Sequence, residues 1–190
     1  CRPEPESRRC TAWALAQAAH CDDWIICREG DVLTRSIADA PIATVQEKIM
    51  SGPFRGSCLC RAIQFEVDRF EPRTGNCHCS MCRKFHGAAY ATLAEASRTN
   101  FRWLRGEDQL KSYTADNGSS RRFCARCGSS LTFASPAGDP DLVEIALGCF
   151  DDEVPIKPDA HIFVGSGATW ARPEDDLPQY QAGRDSPRIR

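Results

Sequence analysis

Apolar and polar positions first fall into a regular rhythm after Gly56. Ile63, Phe65 and Val67 alternate with Gln64 and Glu66. A period of two predicts a half-buried strand, with the apolar set on one face. Comparable short runs follow at 88–93, 101–104, 110–114, 130–134, 142–147 and 161–164. Between them stand turn signals: Glu71-Pro72, Gly106-Glu107-Asp108, Asn117-Gly118 and Gly138-Asp139-Pro140. Many short strands at this spacing predict a mainly β domain. A single helical turn is expected after Cys79 and little other helix beyond Met50. From Arg172 the chain is rich in Pro, Asp and Arg, which predicts an exposed coil, with residues 181–190 as its tail.

Residues 1–49 lack this rhythm. Four scattered cysteines (Cys1, Cys10, Cys21, Cys27) show no ligand spacing. The Ala-rich run Thr11 to Ala19, behind Arg8 and Arg9, faintly imitates a signal peptide, but it is short and broken by Gln17. Met50 is the first methionine, and the patterning starts just after it. The expected organisation is therefore an N-terminal extension over 1–49, non-native, mis-started or poorly ordered, ahead of a domain over 50–180.

Composition narrows the class. A length of 190 residues suits one domain with a proper core. Twenty-four basic against 26 acidic residues give a net charge of −2, which argues against a dedicated nucleic-acid binder. No apolar run approaches a membrane span. Twelve cysteines are many, and seven of them fall in close pairs and triplets rather than spread along the chain. That grouping marks metal sites in a reducing compartment, read as the cytoplasm, rather than a disulfide framework.

The ordered thiols are Cys58-Leu59-Cys60, then Cys77-His78-Cys79-Ser80-Met81-Cys82, then Cys124-Ala125-Arg126-Cys127. Zinc takes four thiolates in a closed structural tetrahedron. Cys58 and Cys60, at i and i+2, share a face if extended, and Cys124 and Cys127 have knuckle spacing with Gly128 placed for a tight turn. Together they make one complete site. Cys77, Cys79 and Cys82 supply three ligands, which leaves a fourth position for water or substrate, the arrangement of catalytic sites. The alternative is closure by His78, His86, Cys149 or His161. His78 lies between two ligands and is expected to point away as a hydrogen-bonding neighbour. Arg83, Lys84, Arg121, Arg122 and Arg126 are either solvated surface or holders of an acidic ligand.

Gly56-Ser57-Cys58-Leu59-Cys60, Cys77-His78-Cys79-Ser80-Met81-Cys82-Arg83 and Phe123-Cys124-Ala125-Arg126-Cys127-Gly128-Ser129 resemble the glutathione-dependent formaldehyde-activating (Gfa-type) family, which includes the centromere protein V domain. The similarity runs over roughly 52–180, through Gly106, Leu110, Tyr113, His161-Ile162, Trp170 and Asp176-Leu177-Pro178. It implies an Mss4-like β fold of short antiparallel strands with two zinc ions. Cys58, Cys60, Cys124 and Cys127 would hold the structural ion; Cys77, Cys79 and Cys82 the functional one. The implied activity is a carbon–sulfur lyase reaction in reverse, joining glutathione to formaldehyde to give S-hydroxymethylglutathione. The implied partners are a small-molecule thiol and an aldehyde. Arg61 departs from the family pattern, which usually has Gly there. Two other readings stand beside the enzyme: a non-catalytic zinc-binding interaction module, and a methionine sulfoxide reductase for which Cys149 is the candidate nucleophile.

Overall fold

The computed structural model describes residues 51–190, so the expectations for 1–49 and Met50 lie outside the described residues. The described chain is mainly β. Its strands are β1 (Ser51–Ser57), β2 (Gln64–Arg69), β3 (Thr74–Cys77), β4 (Ala91–Ser97), β5 (Phe101–Arg105), β6 (Leu110–Thr114), β7 (Ser120–Cys124), β8 (Ser130–Ala134), β9 (Leu142–Ala146) and β10 (Ala160–Ile162). One α-helix, α1 (Ser80–His86), follows β3. The sheets have orders β1-β2-β5 and β10-β3-β4-β9-β8-β7-β6. Every pairing is antiparallel except β10 on β3.

The apolar face of β2 behaves as its pattern predicts. Ile63, just ahead of the strand, and Phe65 and Val67 within it are fully buried. They meet Ala94 and Ala96 of β4, Leu131 of β8, and Val143 and Ile145 of β9. Phe65 sits among Phe101, Trp103 and Phe150, with ring centroids 5.2 to 5.9 Å away, mostly edge-to-face. The opposite face is less wet than its polar residues suggest. Glu66 is buried because Arg55 on β1 and Arg102 on β5 stand opposite it in register and both bond its carboxylate. Cross-strand pairing of opposite charges makes that burial tolerable.

Three strands escaped the hydrophobic pattern. β1 contains Gly52, Pro53 and Gly56, and Pro53 is tolerated because β1 lies at a sheet edge. β3 (Thr-Gly-Asn-Cys) and β7 (Ser-Arg-Arg-Phe-Cys) are extended because both neighbours pair with them. The segment expected as exposed coil is instead docked. Gln179 bridges to His161 in parallel register, Tyr180 bridges to Arg188, and Arg184 pairs with Asp159 at 2.5 Å. Backbone groups of β10 hold the segment, with Pro178 O accepting from His161 N–H and His161 O from Tyr180 N–H.

The connection from β1 to β2 positions the first thiol pair. Cys58 and Cys60 lie in a turn rather than on a strand, closed by Arg61 N–H donating to Cys58 O at 2.7 Å. Arg61 adopts a left-handed backbone, φ 59°, which explains why glycine suits this place. An L-residue there costs roughly 1–2 kcal/mol. Glycine relieves that but loses ~0.5–1 kcal/mol of chain entropy. Arg61→Gly is expected to raise stability by up to about 1 kcal/mol in denaturant unfolding of metal-loaded protein.

Candidate metal centres and the cleft between strands

Two thiol clusters form. In the first, the sulfurs of Cys58, Cys60, Cys124 and Cys127 all lie within 4.8 Å of one another. Cys58 and Cys60 are 3.5 Å apart, and Cys60 is 3.8 Å from Cys124. β7 ends at Cys124, and the following turn returns through Gly128, whose φ of 77° is the left-handed conformation that its tight reversal requires. Ile63 N–H donates to Cys58 Sγ and Arg126 N–H to Cys124 Sγ, at 3.3 and 3.4 Å. Such donors favour thiolate over thiol.

The second cluster holds Cys77, Cys79 and Cys82 within the same limit. Cys77 closes β3. Cys79 is the N-cap of α1 and accepts from Cys82 N–H at 3.3 Å, so the helix turn brings Cys82 back onto the pair. α1 ends on Gly87 in a left-handed cap, φ 61°, bonded to Arg83 O. With sulfurs this close, Cys77 and Cys82 hydrogen bond to Cys79 and draw its thiol far below its usual range. The same contacts, with burial, hold Cys77 far above its own.

None of the four alternative ligands joins this cluster among the described residues. His78 turns away, as its position between two ligands predicts. Its Nε2 lies 2.8 Å from His161 Nδ1, and His161 Nε2 lies 3.0 and 3.1 Å from the Asp175 carboxylate oxygens. The Asp175 carboxylate accepts from His161 Nε2, and the two imidazoles share the hydrogen bond between His161 Nδ1 and His78 Nε2. Burial first, then His161 and Arg83, lower His78 to a pKa of about 4, so it is neutral at pH 7. His86 instead meets Ser130 Oγ at 3.2 Å. Cys149 gives its S–H to Ser130 O at 2.9 Å, and burial foremost raises it to about 11. A thiol so held is no nucleophile, which removes the basis for the reductase reading.

The second cluster opens on a cleft of about 560 Å³. The seven-stranded sheet separates it from the core: Ala94, Val143, Ile145 and Leu131 face inward, while Leu93, Glu95, Glu144 and Phe133 line the cleft. Arg121 of β7 also lines it. Arg122 and Arg126 are exposed, and Arg83 is spent on backbone carbonyls of His78 and Ser166. Glu95 and Glu144 stand directly opposite on β4 and β9 and escaped sequence reasoning. Burial, then the Glu95 charge, raises Glu144 to about 7.

A β sandwich with one four-thiol and one three-thiol cluster, the latter at a cleft, defines a class of two-centre cysteine proteins. The model of one family, the glutathione-dependent formaldehyde-activating enzyme, matches residues 53–166. The chain belongs to this family. It is 29% identical over 126 residues, 63% of its length and 80% of the relative's, to a Halomonas elongata protein provisionally named a glutathione-dependent formaldehyde-activating enzyme. It is 28% identical over 119 residues, 58% of its length and 85% of the relative's, to an uncharacterized lyase of Schizosaccharomyces pombe. A crystal structure of a Rhodobacter sphaeroides protein is similar at 25% identity and TM-score 0.46, covering 53% of this chain and 91% of that one. Among the described residues no helix is long and apolar enough to cross a membrane.

Two measurements follow. Cys77→Ser is expected to remove one bound metal equivalent and leave the fold intact by circular dichroism, whereas Cys58→Ser loses the fold with its metal. Glu144 ionises near the ordinary carboxyl value of 4.5 in the unfolded chain and at about 7 in the fold. Its contribution is complete below 4.5 and is lost as pH rises through 7. The melting temperature of Glu144→Gln should match wild type near the lower pH and exceed it above the upper one; equal curves throughout would contradict this.

Proposed function

We propose that the protein is a zinc-dependent carbon–sulfur lyase-type enzyme that acts on thiol–aldehyde adducts. The glutathione and formaldehyde of its relatives' family name are the first pair to consider. One observation carries this reading: three converging thiols at the wall of a cleft, with no fourth His, Cys, Asp or Glu donor joining them among the described residues. The donor chemistry fits zinc at both clusters, because soft thiolates select it and backbone N–H groups already point at the sulfurs of Cys58, Cys79 and Cys124.

Cys58, Cys60, Cys124 and Cys127 would hold a structural ion, and Cys77, Cys79 and Cys82 a functional one. When bound there, zinc would favour the thiolate form of a substrate thiol. The chain's own residues do the rest. His78 N–H bonds Ile162 O at 2.9 Å, and its ring is tied through His161 to Asp175, which fixes the loop between Cys77 and Cys79. The cleft is of the size that takes a small peptide, within the ~300–1,000 Å³ usual for ligand sites. Arg121 supplies positive charge on its wall, and Glu95 and Glu144 supply carboxyl groups.

Zinc-loaded protein incubated with glutathione and formaldehyde should form the adduct faster than the spontaneous reaction, and Cys77→Ser should return the rate to background. A rate no higher than background across several thiols and aldehydes, with both ions bound, would contradict the proposal.

A further inference from the structure

Arg121 is a charged residue in an apolar setting. It is 3% exposed, on the cleft face of β7. Its guanidinium carbon lies 4.9 Å from the Phe133 ring centre and 5.9 Å from that of Phe85. Glu66, the comparably buried charge, has two arginine partners. Arg121 pairs with no carboxylate among the described residues.

Cation–π contacts return only part of what removing an ion from water costs. The deficit calls for an anion. The place for it is the cleft, whose wall Arg121 shares with Cys77, Cys79 and Cys82. Three thiolates outnumber the charge of one divalent ion by one, and a fourth thiolate would add another.

Resting on the function proposed above, we propose that Arg121 is the anion-holding residue of the three-thiol site. It stabilises the thiolate of the substrate and the alkoxide formed when that sulfur adds to an aldehyde. The thiol releases its proton to water and keeps the electron pair. That pair forms the carbon–sulfur bond, and the carbonyl π pair moves to oxygen. The alkoxide then takes a proton back from water, so thiol and aldehyde give a hydroxyalkyl thioether with no oxidant and no net proton. The planar fork of arginine can serve sulfur and oxygen in turn, which a lysine's point charge does less well.

The test is calorimetric titration of zinc-loaded wild type, Arg121→Met and Arg121→Lys with glutathione and with S-methylglutathione, which keeps both carboxylates and the amine but cannot ionise at sulfur. Metal content is measured alongside. Arg121→Met should keep both ions, bind glutathione on the order of tenfold to a hundredfold more weakly, and bind S-methylglutathione as wild type does. Arg121→Lys should recover most of the loss and serves as the comparison if the methionine variant does not fold. Equal weakening for both ligands would assign Arg121 to a carboxylate or to packing and overturn the proposal. Unchanged glutathione binding, or a lysine variant as weak as methionine, would overturn it too. Wild type that fails to distinguish the two ligands would instead defeat the underlying reading of a thiol at this site, and the role of Arg121 with it.

Discussion

Four sulfurs drawn within 4.8 Å of one another set the terms for the rest of the molecule. Cys58 follows β1 in the three-stranded sheet, and Cys124 ends β7 in the seven-stranded one. Their meeting ties the two layers together across more than sixty residues of chain. As thiolates at such separations they repel by about 4 kcal/mol per pair at an effective dielectric near ~20. Backbone N–H groups nevertheless aim at two of them and favour the charged form. A divalent cation held there would reconcile these facts and would make metal binding part of folding.

With the layers fixed, the larger sheet serves two purposes. Successive residues of β4 and β9 alternate between its faces. Ala94, Ala96, Val143 and Ile145 complete the core; Leu93, Glu95, Leu142 and Glu144 line the cleft. The three-thiol cluster stands at the end of this outer face, where β3 gives way to α1. A rigid sheet, not a loop, therefore carries the cleft, while a short helix turn supplies the last thiol. His78, His161 and Asp175 brace the loop from behind, so the thiols keep their arrangement.

Both clusters were legible from the sequence, because metal knuckles need fixed spacings and those spacings survive in the chain. The alternation of Ile63, Phe65 and Val67 likewise survives, since period-two burial leaves its mark in composition. β3 and β7 left no such mark: Thr-Gly-Asn-Cys and Ser-Arg-Arg-Phe-Cys show no alternation and become strands only through their neighbours. Arg121 belongs to a charge run that usually reads as solvated surface, and only the register of β7 against Phe133 turns it inward. Glu144 interrupts Leu142-Val143-Glu144-Ile145-Ala146 in the manner of any half-exposed strand. That it faces Glu95 follows from pairing, which sequence spacing does not encode. The docking of Gln179 and Tyr180 beside His161 is invisible for the same reason.

The central claim is an inequality between two centres, one saturated by protein sulfur and the other completed by a ligand. X-ray absorption at the zinc edge, on protein carrying two zinc ions, reads it directly. The account predicts an average between three and four sulfurs per zinc, rising to four when glutathione is added. A nitrogen or fourth sulfur from the protein at the second centre, with a spectrum that glutathione leaves unchanged, would contradict it.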